Sequence, residues 1–241
     1  MTTRKVAIIT GASGGIGAGL VAGYRSRDWA VVASARTITP SRDPDLLTVA
    51  ADITEPATAG QIVGRALERF GRIDTLVNNA GVAIPKPFTS YTAADYAAVV
   101  GASLTGFFWL TQRVIGDMAV RYGGHVVTVS ATPAGAADSS TPAALAALAA
   151  GGLAAVTRSL AVEFAARGIR VNAISAGVIQ TPLQPTDGYD GLNGWLPPLG
   201  RAGQVSDIVD GALFLESAPY ITGEILHIDG GLSVADGRVK E

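Results

Sequence analysis

The sequence predicts a doubly wound α/β fold, a parallel sheet with helices on both faces, and three observations predict it. Short β-branched runs alternate with longer helical stretches along the chain, as expected for βαβ units. The first run, Val6 to Ile9, leads directly into a glycine-rich stretch, TGASGGIG at Thr10 to Gly17, placed to turn from strand to helix. A length of 241 residues with 48% hydrophobic content lets one core fill one sheet, so residues 1–241 are read as a single domain.

Each element follows from that alternation. Strands are predicted near 5–10, 30–35 (AVVASA), 46–50 (LLTVA), 74–78 (DTLVN), 124–130 (GHVVTVS), 169–175 (IRVNAIS) and 224–228 (EILHI). Helices are predicted in the intervals, near 15–27, 56–70, 92–121, 142–166 and 205–216. Gly151 and Gly152 fall inside the fourth of these helices, at about 1 kcal/mol each relative to alanine, which predicts another backbone close by. One long irregular connection remains, Gln184 to Pro198, containing Pro185, Gly188, Gly191, Gly194, Pro197 and Pro198. Connections of that length in compact domains are commonly functional, and 184–198 is read as a segment covering a small-molecule substrate, with a tolerated insertion as the plainer alternative.

Composition excludes several function classes. The formal net charge is -2 without a basic cluster, which argues against a nucleic-acid partner. Without cysteine there is neither a disulfide framework nor a thiolate nucleophile, and the isolated His125 and His227 offer no metal site. The opening MTTRKVAIIT runs into the first strand without the apolar stretch of a signal peptide, so a cytoplasmic location is expected. The uncharged run from Ser139 to Thr157 begins Ser, Ser, Thr, Pro and is mostly Ala and Gly, a close-packed helix rather than a membrane span. With charged residues at only 16%, some apolar surface is expected to close against a second subunit.

The glycine-rich turn has a mechanical reading. Gly11 can take a turn conformation, Gly15 and Gly17 allow close approach where the helix begins, and the helix N-terminus around Ile16 offers partial positive charge to phosphates. Ser13 adds a hydroxyl.

Five segments in one order carry a resemblance: TGASGGIG at Thr10 to Gly17, NNAG at Asn78 to Gly81, VTVS at Val127 to Ser130, GIRVNAI at Gly168 to Ile174 and ITGEILHIDGG at Ile221 to Gly231. Together they resemble the short-chain dehydrogenase/reductase family over nearly the whole chain. The resemblance implies a Rossmann-like sheet, a nicotinamide dinucleotide cofactor and a homodimer or homotetramer joined through the helix at 142–166. A pseudo-subunit paired with an active homologue would use the same surface. It also makes Asp229, Gly230 and Gly231 a structural turn.

At the end of the second strand, where an acidic residue would accept hydrogen bonds from a ribose 2′-hydroxyl, the sequence has Ala35 followed by Arg36. A guanidinium there can pair with a 2′-phosphate, so NADP(H) is favoured over NAD(H), the bland alternative being a solvated arginine. By resemblance, Asp52 and Ile53 contact adenine, Asn79, Ala80 and Gly81 pass over the adenine-side ribose, and Gly177, Ile179 and Thr181 meet the nicotinamide carboxamide. Asp52 reads equally as a helix N-cap. Ala176 stands where the family has a proline, which predicts a less rigid turn at the nicotinamide.

The proton-handling residues of the family are missing. No tyrosine or lysine occurs between Tyr122 and Tyr189, and registering on LAAVTRSLAVE puts the family's tyrosine at Ala146 and its lysine at Ala150. The serine position falls at Ala131 to Pro133, with Thr132 the nearest hydroxyl, and the asparagine position reads Ser103. Thr132, Asp138, Ser139, Ser140 and Tyr189 are other conceivable donors, each read more simply as a loop-capping or solvated residue. No catalytic residue is assigned. Two function classes follow: an atypical NADP(H)-dependent oxidoreductase acting on a carbonyl, quinone or enone, or a non-catalytic cofactor sensor or scaffold subunit. A non-redox lyase or isomerase is a distant third.

Overall fold

The computed structural model describes residues 3–131, 142–181 and 197–235. Seven strands form one parallel sheet: β1 (Val6–Thr10), β2 (Ala30–Ala35), β3 (Leu46–Ala50), β4 (Thr75–Asn78), β5 (Gly124–Ala131), β6 (Ile169–Ala176) and β9 (Ile225–Ile228), in the order β3-β2-β1-β4-β5-β6-β9. All seven lie where the alternation predicts them, and the sheet is the Rossmann-like arrangement the sequence implies. A further two-residue parallel pair, β7 (Ile179–Gln180) with β8 (Gly203–Gln204), is too short to read from sequence. The strand order reverses between β1 and β4, which opens a crevice at the carboxyl ends of these strands.

The central strands are buried on both faces, as β1 shows at every residue. On one face Val6, Ile8, Leu76 and Val126 meet α2 (Pro56–Phe70), α4 (Gly106–Arg121) and α5 (Ala144–Phe164) through Ile62, Leu110, Val114, Met118 and Ala161. On the other, Ala7, Ile9, Val77, Val127 and Ile174 meet α1 (Gly15–Ser26) and α6 (Val205–Ser217) through Leu20, Tyr24, Ile208 and Leu213.

The helix expected at 92–121 is divided. α3 (Ala93–Val100) passes through a π-helical turn, Gly101–Thr105, into α4. Gly101 and Gly106 bound this turn because the β3–α2 connection presses on it: an added Cβ would stand 3.1 Å from the Thr54 methyl at Gly101 and 2.6 Å from Ile53 Cγ1 at Gly106. The extra residue of a π turn re-phases the buried stripe between α3 and α4, and such turns recur at functional sites.

Within the described residues of this one chain no backbone packs on Gly151 and Gly152. Both are exposed on α5, and a Cβ at either meets nothing within 4 Å. By length and composition alone Ala93–Arg121 and Ala144–Arg167 could cross a bilayer, yet both runs lie along the sheet with Leu110, Val114, Met118, Leu153 and Ala161 buried. Their outer faces leave Phe108, Val120, Leu148 and Val162 exposed.

At the opposite end of the sheet from the crevice lies a buried polar knot. The Glu216 carboxylate accepts from Thr75 Oγ1 at 2.9 Å and Tyr24 Oη at 3.2 Å, and lies 3.0 Å from His125 Nδ1. Asn172 fixes the imidazole tautomer. Its Oδ1 is taken by the Glu224 N–H, so its Nδ2 faces His125 Nε2 at 3.0 Å as a donor, leaving the His125 proton on Nδ1 for Glu216. Burial pushes the His125 pKa down. Burial pushes Glu216 up, but hydrogen bonds from His125 and Thr75 and the Arg170 charge outweigh it and hold the carboxyl below its usual range.

Candidate functional site

The glycine turn joins β1 to α1 as a tight cradle. Gly11 and Gly15 have φ of 64° and 52°, in the left-handed region that favours glycine. A Cβ on Gly17 would stand 2.1 Å from the Gly11 carbonyl oxygen, so the first helical turn can close on the loop only with glycine there. The N-cap residue, Gly14, supplies no side-chain oxygen and the first turn of α1 has no acidic residue. The N–H groups that begin α1 are thus left to face an anion. Ser13 is exposed on this turn and Ile16 lines the crevice.

The NNAG segment is clipped to the turn. Thr10 Oγ1 accepts from the Asn79 and Ala80 N–H groups, each at 3.0 Å, and Asn79 Nδ2 donates to the carbonyls of Thr10 at 3.0 Å and Gly11 at 3.4 Å. Asn78 points the other way and donates to Thr111 Oγ1 on α4 at 2.9 Å. Gly11 must be glycine for this join as well, since a Cβ would stand 2.9 Å from Asn79 Nδ2.

The 177–181 segment reaches the same place from β6. Thr181 lies against Gly15, 3.4 Å from where its Cβ would be, and the Gly177 N–H donates to Ile228 at 2.9 Å. Ala176 still pairs with Ala131 and Ile228 in the sheet, so the turn is anchored without a proline. Asp229 accepts from the N–H groups of Gly231 and Ser233, each at 2.9 Å, closing the turn beneath it.

Arg36 is exposed at the end of β2, with no hydrogen bond or ion pair among the described residues beyond its field on Asp52. Asp52 is not a helix cap. Its Oδ1 accepts from the Thr54 N–H at 2.9 Å and the Thr54 hydroxyl at 2.8 Å, which hold its pKa down, while Glu55 is the N-cap residue of α2.

These segments border a cleft of about 590 Å³ at the crevice. Ile16, Ile53, Asn79, Ala80, Gly81, Gly177, Ile179 and Thr181 all line it, whereas Gly11, Gly15 and Gly17 support the lining from behind, and Arg36 and Asp52 lie outside it. Ser103, carried by the π turn, also lines it, as do Ala131, Ala146 and Ala150, so the positions registered from sequence converge. No side chain among the described lining residues is ionisable. Lys86, close in sequence to the lining residue Pro85, is held by Asp95 at 2.7 Å, which depresses the Asp95 pKa to about 2. Sequence reasoning passed over Thr128 and Ser130, both in the lining. They alternate with Val127 and Val129 along β5, which places them toward α4 and α5. Thr132, Pro133, Asp138, Ser139, Ser140, Tyr189 and most of the 184–198 segment lie outside the described residues.

The family described as enoyl-(acyl carrier protein) reductase matches residues 11–233. The chain is 33% identical to the 3-oxoacyl-[acyl-carrier-protein] reductase FabG of Thermotoga maritima, over 95% of this chain and 98% of that protein. Among solved structures, the 3-ketoacyl-(acyl-carrier-protein) reductase of Brucella melitensis complexed with NADH superimposes with a TM-score of 0.85 at 30% identity, covering 95% of this chain and 98% of that one. A tyrosine-to-phenylalanine variant of ElxO with NADPH bound gives a TM-score of 0.87 at 25% identity, over 95% and 99% of the two chains. A Rossmann-type sheet with a glycine cradle at its crevice defines a dinucleotide-fold protein. This chain belongs to the short-chain dehydrogenase/reductase family.

Proposed function

We propose that the chain is an NADP(H)-binding oxidoreductase that passes a hydride to a carbonyl, quinone or enone without a tyrosine–lysine acid. The cradle of Gly11, Gly15 and Gly17 carries the reading, because a left-handed backbone at Gly11 and Gly15 and a close contact that admits no Cβ at Gly17 bring the turn up to an uncapped helix N-terminus. The turn, with Ser13, would hold the pyrophosphate, Asp52 and Ile53 the adenine, Asn79 to Gly81 the ribose, and Gly177, Ile179 and Thr181 the carboxamide. Arg36 would take the 2′-phosphate. Relatives support a nicotinamide cofactor, since a neighbouring fold binds NADH and another NADPH.

When bound, a reduced nicotinamide supplies the hydride. The chain's own part is to orient the acceptor and exclude water. Ser103 and Ser130 can hydrogen-bond an acceptor oxygen, but no described lining group titrates, so the proton comes from water, the substrate or a substitute residue outside the described ones. Acceptors whose reduced form is a delocalised anion suit such a site. The exposed Phe108, Leu148 and Val162 beside the open Gly151 and Gly152 support a homo-oligomer through α4 and α5.

The same ionisable-free lining favours a second reading, a cofactor sensor or scaffold subunit. Stereospecific deuteride transfer from 4-deuterated NADPH to menadione decides between them. Transfer is expected, with an acetoacetyl thioester reduced about 10²–10⁴ times more slowly than by a tyrosine-bearing relative. Tight NADPH binding with no transfer to any quinone or enone would leave the sensor.

A further inference from the structure

Asn78 ends β4 with its side chain on the α4 face of the sheet, where its Nδ2 donates to Thr111 Oγ1 at 2.9 Å. Its Oδ1 receives no hydrogen bond among the described residues. Among those residues only the Thr128 hydroxyl is both unpartnered and sealed from solvent, so Asn78 Oδ1 keeps accessible surface. Asn78 is 6% exposed and lines the cleft, and that surface opens into it. An amide oxygen only accepts, so a group that satisfies it must donate.

Two further hydroxyls share this wall. Asn78 pairs with Thr128 across the sheet, and Ser130 follows two residues along β5 on the same face, which sets the Asn78 and Ser130 Cα atoms about 8 Å apart. Ser103 reaches the wall from the π turn, its Oγ 3.5 Å from where a Cβ on Gly81 would stand. Neither serine hydroxyl has a partner among the described residues, and neither is sealed. Ala146 and Ala150 add little bulk to the same lining, and Phe107 and Leu153 make it apolar. A ligand that meets Asn78 and Ser130 together needs two oxygens held apart, as they are across a ring.

We infer that this wall seats a phenolic ketone, its hydroxyl donated to Asn78 Oδ1 and its carbonyl oxygen held by Ser103 or Ser130, which makes Asn78 a specificity-determining residue. The inference rests on the cleft being the substrate site.

Calorimetric titration of the full chain, with and without saturating NADP⁺, compares 3-hydroxyacetophenone with 3-methoxyacetophenone and acetophenone. The hydroxyl compound is expected to bind about tenfold more tightly than either of the others in both conditions. Asn78→Leu combined with Thr111→Val replaces both partners of the buried bond by apolar groups of like shape, so the protein folds and binds 3-hydroxyacetophenone no better than acetophenone. Ser103→Ala and Ser130→Ala melt with the parent, and at least one of them weakens all three ketones by about threefold. Equal affinity for the three ketones overturns the inference, as does a hydroxyl preference that survives in the double variant. So does displacement of 3-hydroxyacetophenone by NADP⁺, or ketone binding unchanged in both serine variants. Hydride transfer without a hydroxyl preference would remove the seat and leave the oxidoreductase reading, whereas the preference without transfer would leave the seat as the ligand site of a sensor.

Discussion

The proposed preference for NADP(H) turns on a single side chain just after β2. Ala35 offers no carboxylate to a ribose diol, and Arg36 follows it exposed and without a protein hydrogen bond among the described residues. A charge-assisted hydrogen bond is worth about 1.5–3 kcal/mol, so Arg36→Ala should weaken NADPH binding by about tenfold or more and leave NADH nearly unchanged. Calorimetric titration of both cofactors against both proteins checks this. Equal parental affinities, or a preference that survives the substitution, would reject the role of Arg36. The glycines were legible at this scale because each is forced by a clash or a left-handed backbone, and such constraints leave a fixed spacing in the sequence. Thr128 was not legible. A threonine on a β-branched strand is what propensity alone would place there, and its missing partner exists only once α4 and α5 are packed against the sheet.

At the scale of elements, β5, the π turn and α5 converge on one wall of the cleft, which carries no ionisable side chain among the described residues. Ala131 closes β5, Ser103 rides the π turn, and Ala146 and Ala150 lie one helical turn apart on the cleft face of α5. If the scaffold is intact, restoring the side chains should restore proton transfer. The triple variant Ala131→Ser, Ala146→Tyr, Ala150→Lys is expected to raise NADPH-dependent reduction of an acetoacetyl thioester by about 10²–10⁴. The gain should rest on the tyrosine, so the same variant with phenylalanine in its place should stay near the parent rate. A folded triple variant with no gain would show that the register on α5, or the orientation of the cofactor, is wrong. The seven strands and most helices were legible because buried parallel strands read as unbroken apolar runs between helices. The π turn was hidden, since Gly101 and Gly106 look like helix-weakening residues until the β3–α2 connection is seen against them.

Across the whole molecule, the sheet separates a cleft at its carboxyl ends from the acid-sensitive knot around His125. The imidazole cannot take a second proton without turning Nε2 into a donor that faces the donor Nδ2 of Asn172, with Arg170 3.4 Å away. Burial and the Arg170 charge depress its pKa, while Glu216 pulls the other way and does not prevail. The facing titratable groups are Glu216 and Arg170, with Tyr24 beyond the shared carboxylate, and Tyr24 is pushed up by burial. A depressed histidine leaves the unfolded chain with more protons below its own ordinary value, so stability is present above about pH 6.5 and is lost as pH falls through it. Glu216, also depressed, adds a loss in the same direction lower still, as pH falls from about 4.5. The melting temperature is expected to drop by at least about 2–4 °C between about pH 7 and pH 5, the shift that 1 kcal/mol brings in a chain of this size. His125→Gln should melt lower throughout yet lose most of that slope, whereas His227→Gln, altering an exposed histidine, should keep it. A parent protein with a flat profile over that interval, or a His125→Gln profile as steep as the parent's, would show that the knot does not govern acid stability.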